Sequence, residues 1–137
     1  MTAVLCRSTV DGEIVTKGLY THLPKTALAT VGAGTLTAAM LISGLIMRTG
    51  PTGAYNETTP TAAQIVAAMD NPQIGDSFDF THVNGVAYTA TLVAGTDVTL
   101  AGVTANAASK VRRYRCTVTA IGATPTVLIT GIGEMVA

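Results

Sequence analysis

The chain has 137 residues, the length of one ordinary domain, which is enough to bury a hydrophobic core without metals or cross-links. Its formal net charge is zero, which excludes the broad positive field that gathers nucleic acid or anionic lipid. Charged residues make up 12% of the chain and hydrophobic residues 48%, so an isolated monomer would expose apolar patches. The composition therefore predicts a protein whose surface is partly buried between subunits.

The N-terminal third lacks a regular pattern, because glycines and Pro24 interrupt its short apolar pieces. We expect residues 1–34 to form an extended arm or an edge strand and residues 35–137 to form the body. No apolar run typical of a secretory signal follows Met1, so we expect synthesis and assembly in the cytoplasm. Cys6 and Cys116 lie far apart in the sequence and are expected to be free thiols.

Residues 27–47 are uncharged and long enough to span a bilayer. Glycine and threonine dominate the first half of this segment, and Gly44 interrupts its most apolar part, so the pattern disfavours a membrane span. It favours a short helix that begins at Thr35 or Thr37 and stops at Gly44, followed by a buried strand over 45–47.

A second helix is predicted over 58–69. Thr59 is the expected N-cap, because its hydroxyl can accept hydrogen bonds from backbone N–H groups, and Pro60 suits the first helical position. Apolar side chains then recur on one face, and the sequence Asp70-Asn71-Pro72 ends the helix after about three turns.

The C-terminal half alternates apolar and polar residues with a period of two, the pattern of half-buried strands. Asn84-Gly85 is the pair that suits a type I′ turn, so we predict a hairpin over 77–93. Further strands are predicted at 98–100, 111–120 and 126–132. Short strands at this spacing predict an all-β fold: an antiparallel β-sandwich, jelly-roll-like, with one or two short helices and the extended N-terminal arm.

Residue types that carry catalysis are sparse. His22 and His82 are the only histidines, and Gly32-x-Gly34 lacks the preceding strand of a dinucleotide-binding unit. Three aspartates do not have calcium-loop spacing: Asp76, Asp79 and Asp97. We therefore predict no catalytic residue, no metal site and no cofactor, and we expect that the chain is not an enzyme.

One predicted strand carries a dense group of charges, comprising Lys110, Arg112, Arg113, Tyr114 and Arg115. In an extended strand Arg113 and Arg115 share one face, whereas Arg112 shares the other with Tyr114 and Cys116. Three interpretations are open: charges that discourage pairing at a sheet edge, ion pairs with acidic residues of a neighbouring subunit, or a docking patch for an acidic partner. All three place the function at a surface.

The segments 36–69 and 75–102 resemble small virion proteins of tailed phages. The shared features occur in one order: a helix, an Arg-Thr-Gly-Pro loop, a Thr-Pro-capped helix, a Ser-Phe-x-Phe strand and an Ala-Gly-Thr-x-Val-Thr-Leu strand. Arg112-Arg113-Tyr114 matches a recurrent basic-basic-aromatic step, so the likeness extends over 36–120. Residues 1–34 do not match the shared pattern.

The resemblance implies a capsid decoration (cement) protein or a head-fibre module, typically a trimeric β-structure seated on the major capsid protein. It therefore implies a homo-oligomer, with a trimer favoured, located in the virion. Composition argues against nucleic acid and membrane as partners. The alternative function is a receptor- or glycan-binding module of a head fibre, spike or tail, which the 4% aromatic content disfavours.

Overall fold

A computed structural model describes residues 9–10, 13–14 and 25–136 of the chain. This part of the chain consists mainly of strands, with two short helices. The elements, in chain order, are β1 (Thr9–Val10), β2 (Glu13–Ile14), β3 (Thr26–Leu28), β4 (Gly34–Thr35), α1 (Ala38–Ser43), β5 (Leu45–Arg48), β6 (Tyr55–Thr58), α2 (Ala62–Ala68), β7 (Ser77–Asn84), β8 (Ala90–Val93), β9 (Val98–Ala101), β10 (Ala105–Asn106), β11 (Lys110–Ala120) and β12 (Thr126–Val136). The predicted β-rich fold with two helices is confirmed.

The strands of the body form two mixed sheets. A six-stranded sheet has the order β3-β5-β7-β11-β12-β9, and a four-stranded sheet has the order β10-β8-β6-β4. Antiparallel pairing joins β7 to β11, β11 to β12 and β8 to β10, whereas the remaining pairs of these two sheets are parallel. The prediction of purely antiparallel sheets is therefore corrected. Neighbouring strands are parallel where the chain leaves one sheet, adds a strand to the other sheet and then returns. Such a crossover connection takes the place of the tight turn that joins two antiparallel strands.

The hairpin predicted over 77–93 is wrong, because β7 and β8 lie in different sheets. Asn84 does not act as a turn residue: its side chain is buried and its amide nitrogen reaches three backbone carbonyls. Gly85 is required for a close approach instead of a positive φ, since an added Cβ would lie 2.8 Å from the carbonyl oxygen of Arg48. Both residues of the expected turn thus serve contacts that are distant in the sequence.

Helix α1 agrees with its prediction. The Thr37 side chain accepts a hydrogen bond from the backbone N–H of Met40, which satisfies one of the free donors at the helix start. Gly44 ends the helix in the left-handed conformation with φ 90°, which glycine adopts without steric penalty. The buried strand β5 then follows directly, as the sequence indicates.

Helix α2 begins two residues later than predicted. Its N-cap is Thr61, whose side chain accepts a hydrogen bond from the backbone N–H of Gln64. Thr59, the expected cap, is buried, and its hydroxyl accepts a hydrogen bond from the backbone N–H of Gly95 at 2.8 Å. Either threonine could cap the helix, but the hydroxyl of Thr59 is already bound to Gly95 in the loop between β8 and β9, so Thr61 is the cap.

The predicted arm, residues 1–34, lies largely outside the described residues. Two short strands, β1 and β2, pair with each other in an antiparallel ribbon. From Lys25 onward the segment contributes to the body: β3 pairs with β5 in the six-stranded sheet, and β4 pairs with β6 in the four-stranded sheet. The expected boundary between residues 34 and 35 falls inside β4.

The uncharged segment 27–47 is divided among β3, β4, α1 and β5. Helix α1 within it has six residues. Throughout the described part of the chain, no helix combines the length and the apolar character that a bilayer crossing requires.

One hydrophobic core lies between the sheets and the two helices. It includes the stacked rings of Phe80 and Tyr114, whose centroids are 5.1 Å apart. Side chains from both sheets and both helices contribute, because the cluster comprises Leu36, Leu41, Ile46, Ala62, Ile65, Phe80, Leu92, Val98, Tyr114, Cys116, Val127 and Ile129. The six-stranded sheet therefore has an inner face that packs on this core and an outer face whose described side chains are half-buried or exposed.

The loop between β5 and β6 contains a matched pair of glycines for a stability test. A Cβ at Gly50 would overlap the carbonyl oxygens of Ala29 and Thr30, whereas a Cβ at Gly53 would meet no atom within 4 Å. We expect Gly50→Ala to lower the free energy of unfolding by about 1–3 kcal/mol, because backbone must move to admit the methyl group. Gly53→Ala should change it by less than about 1 kcal/mol. Chemical denaturation measures both values, and equal losses would contradict the close approach at Gly50.

Candidate docking surface

The five residues predicted to form a docking patch all lie on β11, which begins at half-buried Lys110. This strand is hydrogen-bonded to β7 on one side and β12 on the other, so the interpretation as a charged sheet edge is wrong. The predicted alternation is confirmed. Arg113 and Arg115 are exposed on the outer face, whereas Arg112 and Tyr114 are buried on the inner face.

Both outward arginines converge on one carboxylate, that of Asp79 on β7. Arg115 binds it with two hydrogen bonds, from Nε to Oδ1 at 2.7 Å and from Nη2 to Oδ2 at 3.1 Å. Arg113 is more distant, with its Nε 3.5 Å from Oδ2. The hydrogen bond from Arg115 holds the pKa of Asp79 below its usual range. Two cations face one anion, so the outer face carries a surplus positive charge at Arg113.

The inward residues of β11 have structural partners in the same chain. Arg112 Nη2 donates to Glu134 Oε1 at 3.1 Å, and the Tyr114 hydroxyl donates to the carbonyl oxygen of Thr104 at 3.1 Å. Burial raises the pKa of Tyr114, so its hydroxyl keeps its proton and remains a donor. The acidic residues expected on a neighbouring subunit are thus found within the chain, as Asp79 and Glu134.

A bulge in β12 shapes the surface beside Arg113. The register places Arg113 opposite Gly133 and Tyr114 opposite Gly131, so Ile132 is the extra residue of the bulge. A depression of about 150 Å³ results, here named the Gly133 niche, and it is lined by Arg113, Ile132, Gly133, Glu134 and Met135. A Cβ on Gly133 would meet no atom within 4 Å. The niche is apolar except at the rim formed by the charged side chains.

A buried ion pair joins the two sheets behind this surface. Arg48, at the end of β5, contacts the carboxylate of Glu57 on β6 through its Nε, and both side chains are almost fully buried. The guanidinium also donates to the hydroxyl of Thr30 and to the carbonyl oxygen of Gly32, and it lies over the ring of Tyr55, 4.9 Å from the centroid. The arginine charge is therefore neutralised and hydrogen-bonded inside the protein.

Gly32 and Gly34, which were considered as part of a nucleotide-binding loop, lie beside this ion pair. The carbonyl of Gly32 is a hydrogen-bond acceptor for Arg48, and a Cβ on Gly34 would lie 2.6 Å from Oε2 of Glu57. Gly34 therefore leaves room for the carboxylate. Burial raises the pKa of Glu57, and the neighbouring Arg48 opposes this effect.

Two buried asparagines extend the polar contacts from the ion pair toward β10. Asn84 Oδ1 accepts a hydrogen bond from the Tyr55 hydroxyl at 2.9 Å, and its Nδ2 lies 3.0 Å from the carbonyl oxygen of Asn106. Asn106 in turn donates to the carbonyl of His82 and contacts His82 Nδ1 at 2.8 Å. Sequence reasoning missed this network because Asn84 was assigned to a turn, Asn106 was not considered, and the histidine was considered alone.

His82 and Cys116 are both uncharged at neutral pH. Burial, assisted by the charge of Arg48, lowers the pKa of His82 to about 4, and burial raises the pKa of Cys116 to about 12. No group of three His, Cys, Asp or Glu side chains within the described residues is arranged to hold a metal ion. His22 and Cys6 lie outside the described residues.

The described geometry therefore makes the outer face of the six-stranded sheet, with its paired arginines and its niche, the candidate functional site. Comparisons of the chain with protein families, with curated proteins and with solved structures give no match.

Asn84 is expected to be one of the most sensitive positions in the protein. Asn84→Ala removes the partner of the Tyr55 hydroxyl and leaves three backbone carbonyls without their donor. We expect the free energy of unfolding to fall by about 3 kcal/mol, since each buried polar group left without a partner is destabilising. Asn56→Ala, an exposed position on β6, should lower it by less than about 0.5 kcal/mol. Equal losses in urea denaturation would contradict the role of Asn84.

The pKa of His82 predicts how stability depends on pH. It falls from 6.5 to about 4 on folding, so between these pH values the folded protein binds fewer protons than the unfolded chain. The contribution of neutral His82 is complete above the higher value and decreases as the pH falls toward the lower one. We expect this loss to reach about 3 kcal/mol.

The variant His82→Gln retains an acceptor for Asn106 but does not titrate. Unfolding free energies of both proteins, measured from neutral pH down to about pH 4, should therefore converge as the pH falls, because only the wild type loses the His82 contribution. The acidic residues titrate in both proteins and cancel in the difference. Parallel curves would show that the ionisation of His82 is not linked to folding.

Proposed function

We propose that the chain is a structural virion protein that decorates a phage capsid and stabilises it by binding the major capsid protein and further copies of itself. The observation that carries this proposal is the outer face of the six-stranded sheet, where two arginines, one aspartate and the Gly133 niche form a rigid, solvent-facing surface. The finer architecture belongs to the proposal: a β-sandwich, jelly-roll-like, assembled as a trimer.

Exposed apolar side chains support a function in assembly. In the described residues they occur on several loops, on α1 and on β12, and they comprise Val31, Ile42, Ile74, Tyr88, Val103, Ile121, Ile132 and Met135. A chain with few charged residues has little polar surface with which to surround them. Contact between subunits removes such side chains from water, and this favours an oligomer over a monomer.

The energetics of a repeated lattice favour modest contacts. A contact of about 1,000 Å² per copy, at roughly 25 cal/mol per Å² of apolar area, provides useful affinity after the loss of rigid-body freedom on association. Several copies held in one oligomer bind the shell simultaneously, which raises the effective affinity further. Catalysis is not required for such a role.

The outward arginines are suited to orienting a partner. Exposed charges at the rim of an interface mainly affect the association rate and the choice of partner, while apolar groups at its centre supply affinity. Arg113 lies at the edge of an apolar depression, Arg115 lies two residues further along the same face of β11, and each side chain is 51% exposed. The proposal therefore assigns them to recognition of an acidic surface.

Light scattering of the purified chain, together with its retention on purified capsids that lack it, tests the proposal. We expect an oligomer that co-sediments with the capsids. A variant without residues 1–24 keeps β3, which pairs with β5, and should remain oligomeric but lose capsid retention, since this segment is proposed to be the capsid-binding arm. A monodisperse monomer that does not bind capsids would contradict the whole proposal, and undiminished retention of the truncated variant would exclude the arm.

A further inference from the structure

In the described part of the chain, no side chain fills the Gly133 niche, which has an apolar floor and a charged rim. Ile132 and Met135, at its sides, are 45% and 59% exposed. Cavities of about 150 Å³ accommodate a group the size of a benzene ring. Two charged side chains line the niche: the carboxylate of Glu134 is bound by Arg112 and by the backbone N–H of Ala107, whereas Arg113 has only a distant contact with Asp79, whose carboxylate is engaged by Arg115. The fitting occupant is an apolar side chain with carboxylates beside it.

The chain itself carries a loop of this chemistry. Residues 69–76, here named the Ile74 loop, join α2 to β7 and contain Asp70, Asp76 and no lysine or arginine. Ile74 is 66% exposed. The other large apolar side chains that are exposed in the described residues, apart from those lining the niche, have no acidic residue within four positions. The Ile74 loop is therefore the acidic counterpart of the niche.

Within one copy the loop lies at the wrong end of the sheet to reach the niche. The backbone N–H of Gly75 donates to the carbonyl oxygen of Val118, and the N–H of Val118 donates to the carbonyl oxygen of Asp76. Val118 is five residues along β11 from Arg113, and at about 3.3 Å per residue these positions are roughly 16 Å apart. The Ile74 loop can therefore reach the niche only from a second copy.

We propose that Ile74 of one copy inserts into the Gly133 niche of a second copy, with Asp70 and Asp76 facing Arg113 and Arg115. This inference rests on the proposed function in one respect, that the chain binds copies of itself, and it names the contact. Each copy presents both a loop and a niche, so the contact is head-to-tail. Such contacts close into a ring when the rotation between copies permits it.

The contact acts as an anchor inside a larger interface. One side chain in a niche buries little area, but anchors of this kind near the centre of an interface dominate affinity when surrounding contacts exclude water. The carboxylates add orientation, because the reverse pairing would bring like charges together. The arrangement also explains why the outer face retains an arginine that its own chain engages only weakly.

Disulfide trapping between two differently marked chains tests the contact. One full-length chain carries Ile74→Cys, the other is isotope-labelled and carries Gly133→Cys, and both carry Cys6→Ser, so that buried Cys116 is the remaining native thiol. Gly133 has open space for the new side chain. Mild oxidation of the mixture should give a cross-linked heterodimer, identified by mass spectrometry. A control chain with Ile121→Cys, exposed but without nearby acidic residues, should cross-link about tenfold less because its local concentration at the niche is lower.

A charge exchange gives an independent measurement. We expect Arg113→Glu to weaken self-association about tenfold in sedimentation experiments, because it places a like charge opposite the Ile74 loop. Adding Asp70→Lys to this variant should restore most of the affinity, which a merely misfolded protein would not show. Failure of the second change to restore affinity would overturn the pairing of these charges.

The outcomes separate the two proposals. If the wild type self-associates but the pair at 74 and 133 cross-links no better than the control pair, the contact is wrong and self-association stands. If the wild type remains monomeric at every concentration, the contact and the proposed assembly both fail. Trapping of the heterodimer together with restored affinity supports the contact whether or not the oligomer binds capsids.

Discussion

The buried ion pair between Arg48 and Glu57 determines how the two sheets face each other. A buried pair of charges adds little net stability compared with an apolar pair, but loss of one partner leaves an uncompensated charge in the core. Only a packing that brings β5 and β6 together avoids this outcome. The surrounding backbone serves the same requirement, since Gly32 accepts from the guanidinium and Gly34 leaves room for the carboxylate. The ion pair thus contributes more to the specific packing of the two sheets than to the free energy of unfolding.

The interior is therefore divided into a polar and an apolar part. Asn84 and Asn106 continue the hydrogen bonds from the ion pair toward β10, whereas the apolar cluster contacts both helices. The hydrogen bonding is incomplete: within the described residues Asn106 Oδ1 and His82 Nε2 are buried without a hydrogen-bond partner, and the Glu57 carboxylate has its ion pair with Arg48 but no hydrogen bond. The outer face is built on the opposite side of β7 and β11 from these contacts. Backbone pairing of β11 with β7 and β12 sets the positions from which the outward arginines extend.

The sequence correctly predicted the structural features that depend only on residues close together in the chain. The stop of α1 at Gly44 and the two faces of β11 follow from helix capping and from the period of a strand. The hairpin at Asn84-Gly85 failed because the same two residues also suit a buried amide and a close backbone approach, and only the fold decides between them. Arg48 was missed because the predicted strand ended at residue 47 and the Gly-Pro sequence that follows placed Arg48 in a loop, whereas it lies on β5 and shares a strand face with buried Ile46. The niche depends on a bulge, which alternation cannot reveal.

The turn between β11 and β12 also matters for protein engineering. These two antiparallel strands pair along most of their length, and the turn that joins them holds Gly122, at φ 102° with open space around it. A foreign peptide inserted at this turn extends into solvent without disturbing the ladder, since exposed turn tips tolerate insertion better than paired strands. If copies assemble on a particle, each would then display the peptide at a regular spacing, and the fold would serve as a multivalent carrier.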